Sequence, residues 1–172
     1  IGVHVSTAYD NAYYSDTCKC MFIGDGGTYF TSLGSIDVIG HEMGHGVTAA
    51  TSNLTYAGES GGLNESASDI NGEVTEAYAR AGGTGEAIPN SGNDWMMGKE
   101  ISKSGSPLRW LYKPSKDGRS PDAWSSSIGR IDVHYSSGPN NRMFYFLSNG
   151  SEANPESEYY SKYLTGKPAA MS

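Results

Sequence analysis

His41-Glu42-Met43-Gly44-His45 lies inside Ser35–Ser52, a stretch whose pattern reads as a single helix. Residues four apart share a helix face, so the two imidazoles can reach one ion. Glu42, between them, is placed to touch a water beside that ion rather than the ion itself. The plainer alternative is a helix with two half-buried histidines, and the rest of the chain must decide between them.

Tetrahedral catalytic zinc takes three protein ligands and leaves one position open. The next patterned segment runs from Gly61-Gly62-Leu63-Asn64-Glu65 to Arg80. Its paired glycines are expected to end a loop, with Asn64 as a candidate cap for the helix that follows. On that helix Glu65, Asp69 and Glu73 stand at successive i,i+4 steps, with Glu76 three beyond Glu73. Like charges so spaced cost a helix roughly 0.2–0.5 kcal/mol per pair, which favours cations against this face. For Glu73 or Glu76 alone, a solvated helix face remains a fair reading. Glu65 is different: its neighbours are Gly, Ala, Ser and Ile, so it reads as buried and needs a partner. A zinc ion supplies one. Asp69, one turn on, is placed to accept the second ring proton of a ligating histidine and fix its tautomer. Asp37 precedes His41 by one turn and is placed to face the same cleft.

His134 follows Asp132 in a strand-like alternation, Ile131-Asp132-Val133-His134-Tyr135, that runs into a turn. Two residues apart in extended chain, Asp132 and His134 point the same way, so the carboxylate can raise the imidazole's pKa and hold its ring. An ordinary exposed histidine is the alternative. His4 receives no catalytic role.

With these residues in place, the chain resembles the thermolysin-like zinc metallopeptidases, most closely the secreted elastase branch of pseudolysin and vibriolysin. The match spans about Val3 to Gly150. It includes Tyr9-Asp10-Asn11-Ala12, Gly24-Asp25-Gly26, Ser35-Ile36-Asp37-Val38, the His41–His45 motif, Gly62-Leu63-Asn64-Glu65 with Ser68-Asp69, Asn93-Asp94-Trp95-Met96-Met97, Leu108-Arg109 and Asp132-Val133-His134. The resemblance implies zinc on His41, His45 and Glu65, with Glu42 as general base and Asp69 behind His41. It implies that His134 and Tyr56 stabilise the tetrahedral intermediate and that Asp132 orients His134. Asn11 and the Ala12 backbone are implied to hydrogen-bond the substrate main chain, and Arg109 to brace the pocket and contact a substrate carbonyl. Phe30, Leu33, Val38, Met97 and Leu108 are implied as apolar walls on the primed side, favouring cleavage before bulky hydrophobic residues.

A structural calcium ion is implied as well, on Asp37, Glu73, Glu76 and Asp94 with the Met96 carbonyl. This is an oxygen-only set suited to a hard cation. The stretch from Ala81 to Gly92 is longer than its counterpart in the family, and Glu86 in it is a candidate to displace or supplement a ligand.

The expected fold is α+β. Residues 1–33 are read as the C-terminal end of a β-rich N-terminal domain, with strands at Ile1–Val5 and Thr28–Phe30. Residues 34–172 are read as part of a mainly helical catalytic domain, with zinc-binding helices over about 35–52 and 64–81 and another over about 140–149. Between Gly82 and Gly129 the Gly, Pro and Ser content predicts irregular chain. The resemblance implies a longer enzyme, with an N-terminal propeptide, more of the β domain, and further helices after the tail ending Pro168-Ala169-Ala170-Met171-Ser172. The expected state is a monomer acting on protein and peptide substrates.

Twelve Lys and Arg against 19 Asp and Glu give a net charge of −7, with no basic cluster suited to a phosphate backbone, so no nucleic-acid partner is expected. No apolar run approaches the ~20 residues that span a bilayer. Cys18-Lys19-Cys20 can be a tight disulfide, an adventitious metal site or two free thiols. An oxidised pair best fits the secreted, extracellular location expected here. Rival readings are an aminopeptidase or esterase using the same zinc chemistry, or an inactive binding protein that keeps the site. Glu42, Tyr56 and His134 are all present, which weighs against the last.

Overall fold

The computed structural model describes residues 1–86 and 92–164. Its centre is a pair of helices, α1 (Ile36–Ala50) and α2 (Gly58–Arg80), packed face to face. Small residues set their separation. A Cβ on Gly44 would lie 2.8 Å from Ser68 Cα, and one on Gly72 would lie 2.4 Å from the Asp37 carbonyl oxygen. Bulkier residues there would force the helices apart.

The first helix falls where the sequence predicts. The second starts six residues before the expected 64, running through Gly61-Gly62 rather than after them. Asn64 is therefore an internal helical residue, not a cap. The glycines are needed for close packing rather than for a turn: a Cβ on Gly61 would meet Val133 Cγ1 at 2.5 Å, and one on Gly62 would meet Ser136 Oγ at 2.5 Å.

Before α1 the chain forms a hairpin, β1 (Ala12–Ser15) antiparallel to β2 (Cys20–Ile23), with a disulfide from Cys18 in the turn to Cys20 at the start of β2. This hairpin carries no strong sequence signal. Ile1–Val5, expected as a strand, makes only a single bridge, Gly2 to Phe22, because His4 turns into the left-handed region at φ 57°. Thr28–Phe30 likewise makes one bridge, Phe30 to Ser102. There the Asp10 carboxylate accepts four backbone N–H groups, from Gly27 to Phe30, and the segment wraps around it instead of joining a ladder.

After α2 the chain is largely irregular, with a two-residue ladder between β3 (Met96–Met97) and β4 (Arg109–Trp110) and short 3₁₀ turns at Pro114–Asp117 and Ile128–Arg130. A one-turn helix, α3 (Val133–Ser136), leads into α4 (Gly138–Asn149). The core joins these pieces: Met21, Ile23, Val38, Met97, Leu111 and Phe146 are all buried in one cluster. The result is an α+β fold, and among the described residues no helix is long and apolar enough to cross a membrane. The tail from Pro168 to Ser172 lies outside the described residues.

Candidate metal centre and substrate cleft

The close approach of α1 and α2 brings His41, His45 and Glu65 together. Glu65 is fully buried and His41 nearly so. Behind them, His41 Nδ1 donates to Asp69 Oδ1 at 2.8 Å, and His45 Nδ1 donates to Asn64 Oδ1 at 2.8 Å. Asp69 can only accept, and the Asn64 amide is turned by its own bond from Nδ2 to the Leu54 carbonyl at 3.1 Å. Each neutral ring therefore carries its proton on Nδ1 and leaves an Nε2 lone pair facing inward.

Those lone pairs meet. The two Nε2 atoms are 3.1 Å apart, and they lie 3.5 Å and 3.2 Å from the Glu65 oxygens. Glu65 Oε2 is buried without a hydrogen-bond partner. Three electron-rich atoms in one buried place need positive charge among them. Ligands at ~2.0–2.2 Å from a tetrahedral zinc lie roughly 3.3–3.6 Å apart, so the donor set fits that ion. The electrostatics agree. Burial opposes ionisation of Glu65, but the bond from His45 and the charges of His41 and Arg109 hold its carboxyl well below the usual range. Burial alone would lower His45, yet Glu65, Asn64 and Glu42 together raise it, so a proton there is the nearest substitute for a metal.

Arg109 is also drawn into this centre. Its Nε and Nη2 donate to the two Asp69 oxygens at 2.7 Å and 2.6 Å. That fork and the His41 bond keep the fully buried Asp69 ionised, far below an ordinary carboxyl.

A cleft of ≈ 850 Å³ opens over the cluster. Glu42 lines it beside His41 and His45, and burial pushes its carboxyl upward against the opposing pull of the two histidines. From the far side come Tyr56, whose hydroxyl donates to Glu65 Oε1, and His134, whose Nε2 is 3.3 Å from that hydroxyl. Burial and the Glu65 charge raise the Tyr56 pKa, so the phenol keeps its proton.

Asp132 does pair with His134, but not through the expected strand. It is the N-cap of α3 and accepts both the His134 backbone N–H at 3.0 Å and Nδ1 at 2.8 Å. An i,i+2 pair satisfies either geometry, and the capping bond wins because it also satisfies an otherwise open helix N–H. These bonds lower the Asp132 pKa.

The residues expected to meet substrate all line this cleft. Asn11 and Ala12 stand on one rim at the start of β1, and the Ala12 N–H is held by Asn11 Oδ1 at 2.9 Å. Gly24 N–H bonds the Asn11 carbonyl on the β2 side, so by antiparallel alternation Ala12 presents its backbone to the other side. Among the described residues β1 has one ladder neighbour, β2, and its outer edge is open. Leu33, Val38 and Met97 form a buried apolar floor, with Phe30 and Leu108 nearer the surface.

A second group lies one helical turn away, with Asp37 four residues before His41 and Glu73 four after Asp69, and Asp37 does not line the cleft it was expected to face. Asp37, Glu73 and Glu76 are buried with one oxygen each converging within 4.8 Å. Both Glu73 oxygens lack a hydrogen-bond partner. Burial, then the charges of Glu76, Asp94 and Asp37, push Glu73 well above the usual carboxylate range. Asp94 thus faces the group from the loop without joining its three converging oxygens; it accepts from Met96 N–H at 3.1 Å and lies 3.9 Å from Lys99. Glu86 is exposed and outside the converging set. The adjoining residues 87–91 of that loop lie outside the described residues.

Asn64 is the residue here that sequence reasoning placed wrongly. Its position before Glu65 suggested a cap, whereas its amide fixes the His45 tautomer. The one available signal was spacing: on a helix Asn64 is adjacent to a metal ligand.

Comparison with known proteins agrees with this geometry. The sequence model described as thermolysin metallopeptidase, alpha-helical domain, matches residues 52–166, and that of the thermolysin metallopeptidase catalytic domain matches residues 1–49. The chain is 51% identical over 151 residues to a transglutaminase-activating metalloprotease of Streptomyces mobaraensis, covering 87% of this chain and 19% of that protein. It is 44% identical to the hemagglutinin/proteinase of Vibrio cholerae, covering 87% of this chain and 22% of that one. Among solved structures, the precursor of protealysin, a metalloproteinase from Serratia proteamaculans, superposes with a TM-score of 0.72 at 29% identity, over 84% of this chain and 48% of that one. The chain thus spans about a fifth of the length of these two curated relatives.

Proposed function

The chain belongs to the thermolysin metallopeptidase family, and we propose that it carries the catalytic centre of a secreted zinc endopeptidase. The observation that carries this reading is the meeting of two Nε2 lone pairs and an unpartnered buried carboxylate oxygen beside Glu42. His41, His45 and Glu65 would hold the zinc. Bound there, zinc supplies Lewis acidity, acidifying a water and polarising a carbonyl.

The chain's own residues do the rest. Glu42 accepts a proton from the attacking water and returns it to the leaving amine. Tyr56 and His134 in its imidazolium form, with Nδ1–H on Asp132 and Nε2–H free to donate, give hydrogen bonds to the carbonyl oxygen as negative charge grows on it. Asp132 keeps the His134 ring aimed, and Asp69 does the same for His41. The open edge at Asn11 and Ala12 aligns an extended peptide as an added strand, reading backbone more than side chains. Arg109 braces the pocket. Selectivity then comes from the apolar floor and favours bulky hydrophobic residues just after the cut.

A calcium ion on Asp37, Glu73 and Glu76, with Asp94 and the Met96 carbonyl from the loop, is part of the same proposal. Three buried acids whose oxygens converge, with both Glu73 oxygens unpartnered, support it. Secretion is supported by the Cys18–Cys20 disulfide, which persists in oxidising compartments. A position beside pseudolysin and vibriolysin, removal of a propeptide, residues 1–33 as the end of a β-rich domain and a monomeric state complete the reading.

An acetylated, amidated peptide with one bulky hydrophobic residue tests the activity. The expected result is a single internal cut before that residue, lost with a zinc chelator and restored by zinc. Cleavage only of peptides with a free N-terminus would turn the reading to an aminopeptidase, and hydrolysis only of esters to an esterase.

A further inference from the structure

Asp69 is fully buried, and each of its oxygens accepts two hydrogen bonds. Oδ1 takes His41 Nδ1 and Arg109 Nη2. Oδ2 takes Arg109 Nε and the side-chain amide of Asn141, on α4, at 2.9 Å. This fills the ~four acceptor sites of a carboxylate. Asn141 is itself 1% exposed and plays no part in the chemistry proposed above.

The orientation of the Asn141 amide is set by a directional chain. Asn140 Nδ2 donates to Ser66 Oγ at 2.8 Å, and Ser66 Oγ donates to Asn141 Oδ1 at 2.7 Å. Ser66 has one hydroxyl proton, and with Asn140 donating to its oxygen that proton goes on to Asn141 Oδ1. Nδ2 is then left to face Asp69. A flipped amide would press Oδ1 against Asp69 Oδ2, two acceptors in a buried place, leaving Oδ1 without a donor and Oδ2 with Arg109 Nε alone. Only one sense satisfies every group.

We infer that Asn141 is a positioning residue of the metal centre: through Asp69 it fixes the plane and tautomer of His41, with Ser66 setting its sense. Arg109 grips Asp69 from one side, and a carboxylate held only there can swing about its Cβ–Cγ bond toward the arginine and away from His41. The amide from α4 closes the other side. Helix α4 thereby bears on a ligand carried by α1, across α2. This inference rests on the zinc reading of the same site.

Asn141→Asp tests it, since the shape is kept while a donor becomes an acceptor against Asp69. Asn141→Leu serves as a second variant of similar volume. In the full chain, zinc affinity is measured by competition with a chromogenic chelator, the visible spectrum is recorded after loading with cobalt(II), and melting is followed without metal. Loss of an outer partner of a metal ligand weakens binding about 10–100-fold, and that range is expected for Asn141→Asp, with Asn141→Leu nearer its lower end. Both should also shift the cobalt bands, which report ligand geometry. A variant that melts earlier yet keeps wild-type zinc affinity and cobalt spectrum would make Asn141 a packing residue only and overturn the inference. If the wild-type chain itself fails to hold zinc, the metal reading falls first and this falls with it. Should Asn141→Asp not fold, Asn141→Leu decides by the same two readouts.

Discussion

His41 and His45 point their Nε2 atoms at each other across 3.1 Å, and neither ring is free to turn away. Each is pinned from behind, one by Asp69 and the other by Asn64. Two histidines that merely fill a core would each find a donor for that nitrogen. Here both are aimed at the same Glu65 carboxylate, and these converging electron-rich atoms demand positive charge among them.

Replacing Glu42 with Gln should leave metal content unchanged and reduce peptide hydrolysis by at least ~10²–10⁴-fold, because an amide cannot take up the water's proton. Zinc stoichiometry and kcat on one peptide check both halves. Near-wild-type turnover would remove Glu42 as the base.

Gly44→Ala should destabilise the protein, against the ordinary preference of helices for alanine over glycine, ~1 kcal/mol. The new methyl would lie 2.8 Å from Ser68 Cα, which is backbone and cannot swing aside. Overpacking of this kind costs about 1–3 kcal/mol. Zinc affinity should fall too, since α1 and α2 carry the ligands and must separate. Denaturant unfolding gives the sign, and a more stable variant would show that the helix approach is not set here.

His134→Ala should lower kcat/KM by about 2.7–4 kcal/mol, the usual cost of one oxyanion donor, with little change in folding stability. The side chain is 49% exposed, so its removal leaves no cavity. Asp132→Asn should give a smaller loss, since it frees the ring without removing it. Equal kcat/KM in wild type and His134→Ala would return His134 to the status of a surface residue.

Much of this centre is legible in the sequence because helical spacing is rigid. His41 and His45 stand four residues apart, as do Glu65 and Asp69, and no packing detail is needed to see that each pair shares a face. What stays hidden depends on tertiary contact. Gly61-Gly62 reads as a loop because glycine usually disfavours helices, while its real reason is the approach of Val133 and Ser136. Asn64 and Asn141 carry no charge and belong to no ligand pattern, so their roles emerge only once their amides are seen against His45 and Asp69. The Asp132–His134 pair is readable as a pair, but two-residue spacing cannot tell a strand from a capped turn. The hairpin at Ala12–Ser15 and Cys20–Ile23 is too short for its alternation to stand out.

The acid cluster predicts a pH dependence. Burial and the neighbouring acids raise the folded-state pKa of Glu73 above the ordinary carboxylate value, so between the two the native state holds a proton that the unfolded chain has released. Native protein then binds more protons than unfolded, and stability falls as pH rises through the folded pKa. With calcium removed by a selective chelator and zinc held constant, the melting temperature should drop on going from mildly acidic to mildly alkaline solution. Saturating calcium should reduce that slope, and Glu73→Gln should flatten it in the chelated protein. A chelated protein that grows more stable with rising pH, or one indifferent to calcium, would contradict the assignment.

Whether His41, His45 and Glu65 share one zinc ion is decided by anomalous diffraction at the zinc edge on active protein. One strong peak per chain is expected between those three side chains, bonded to two imidazole Nε2 atoms and a Glu65 oxygen at about 2.0–2.2 Å. An active enzyme with no zinc peak there, or with its zinc held by other residues, would contradict it.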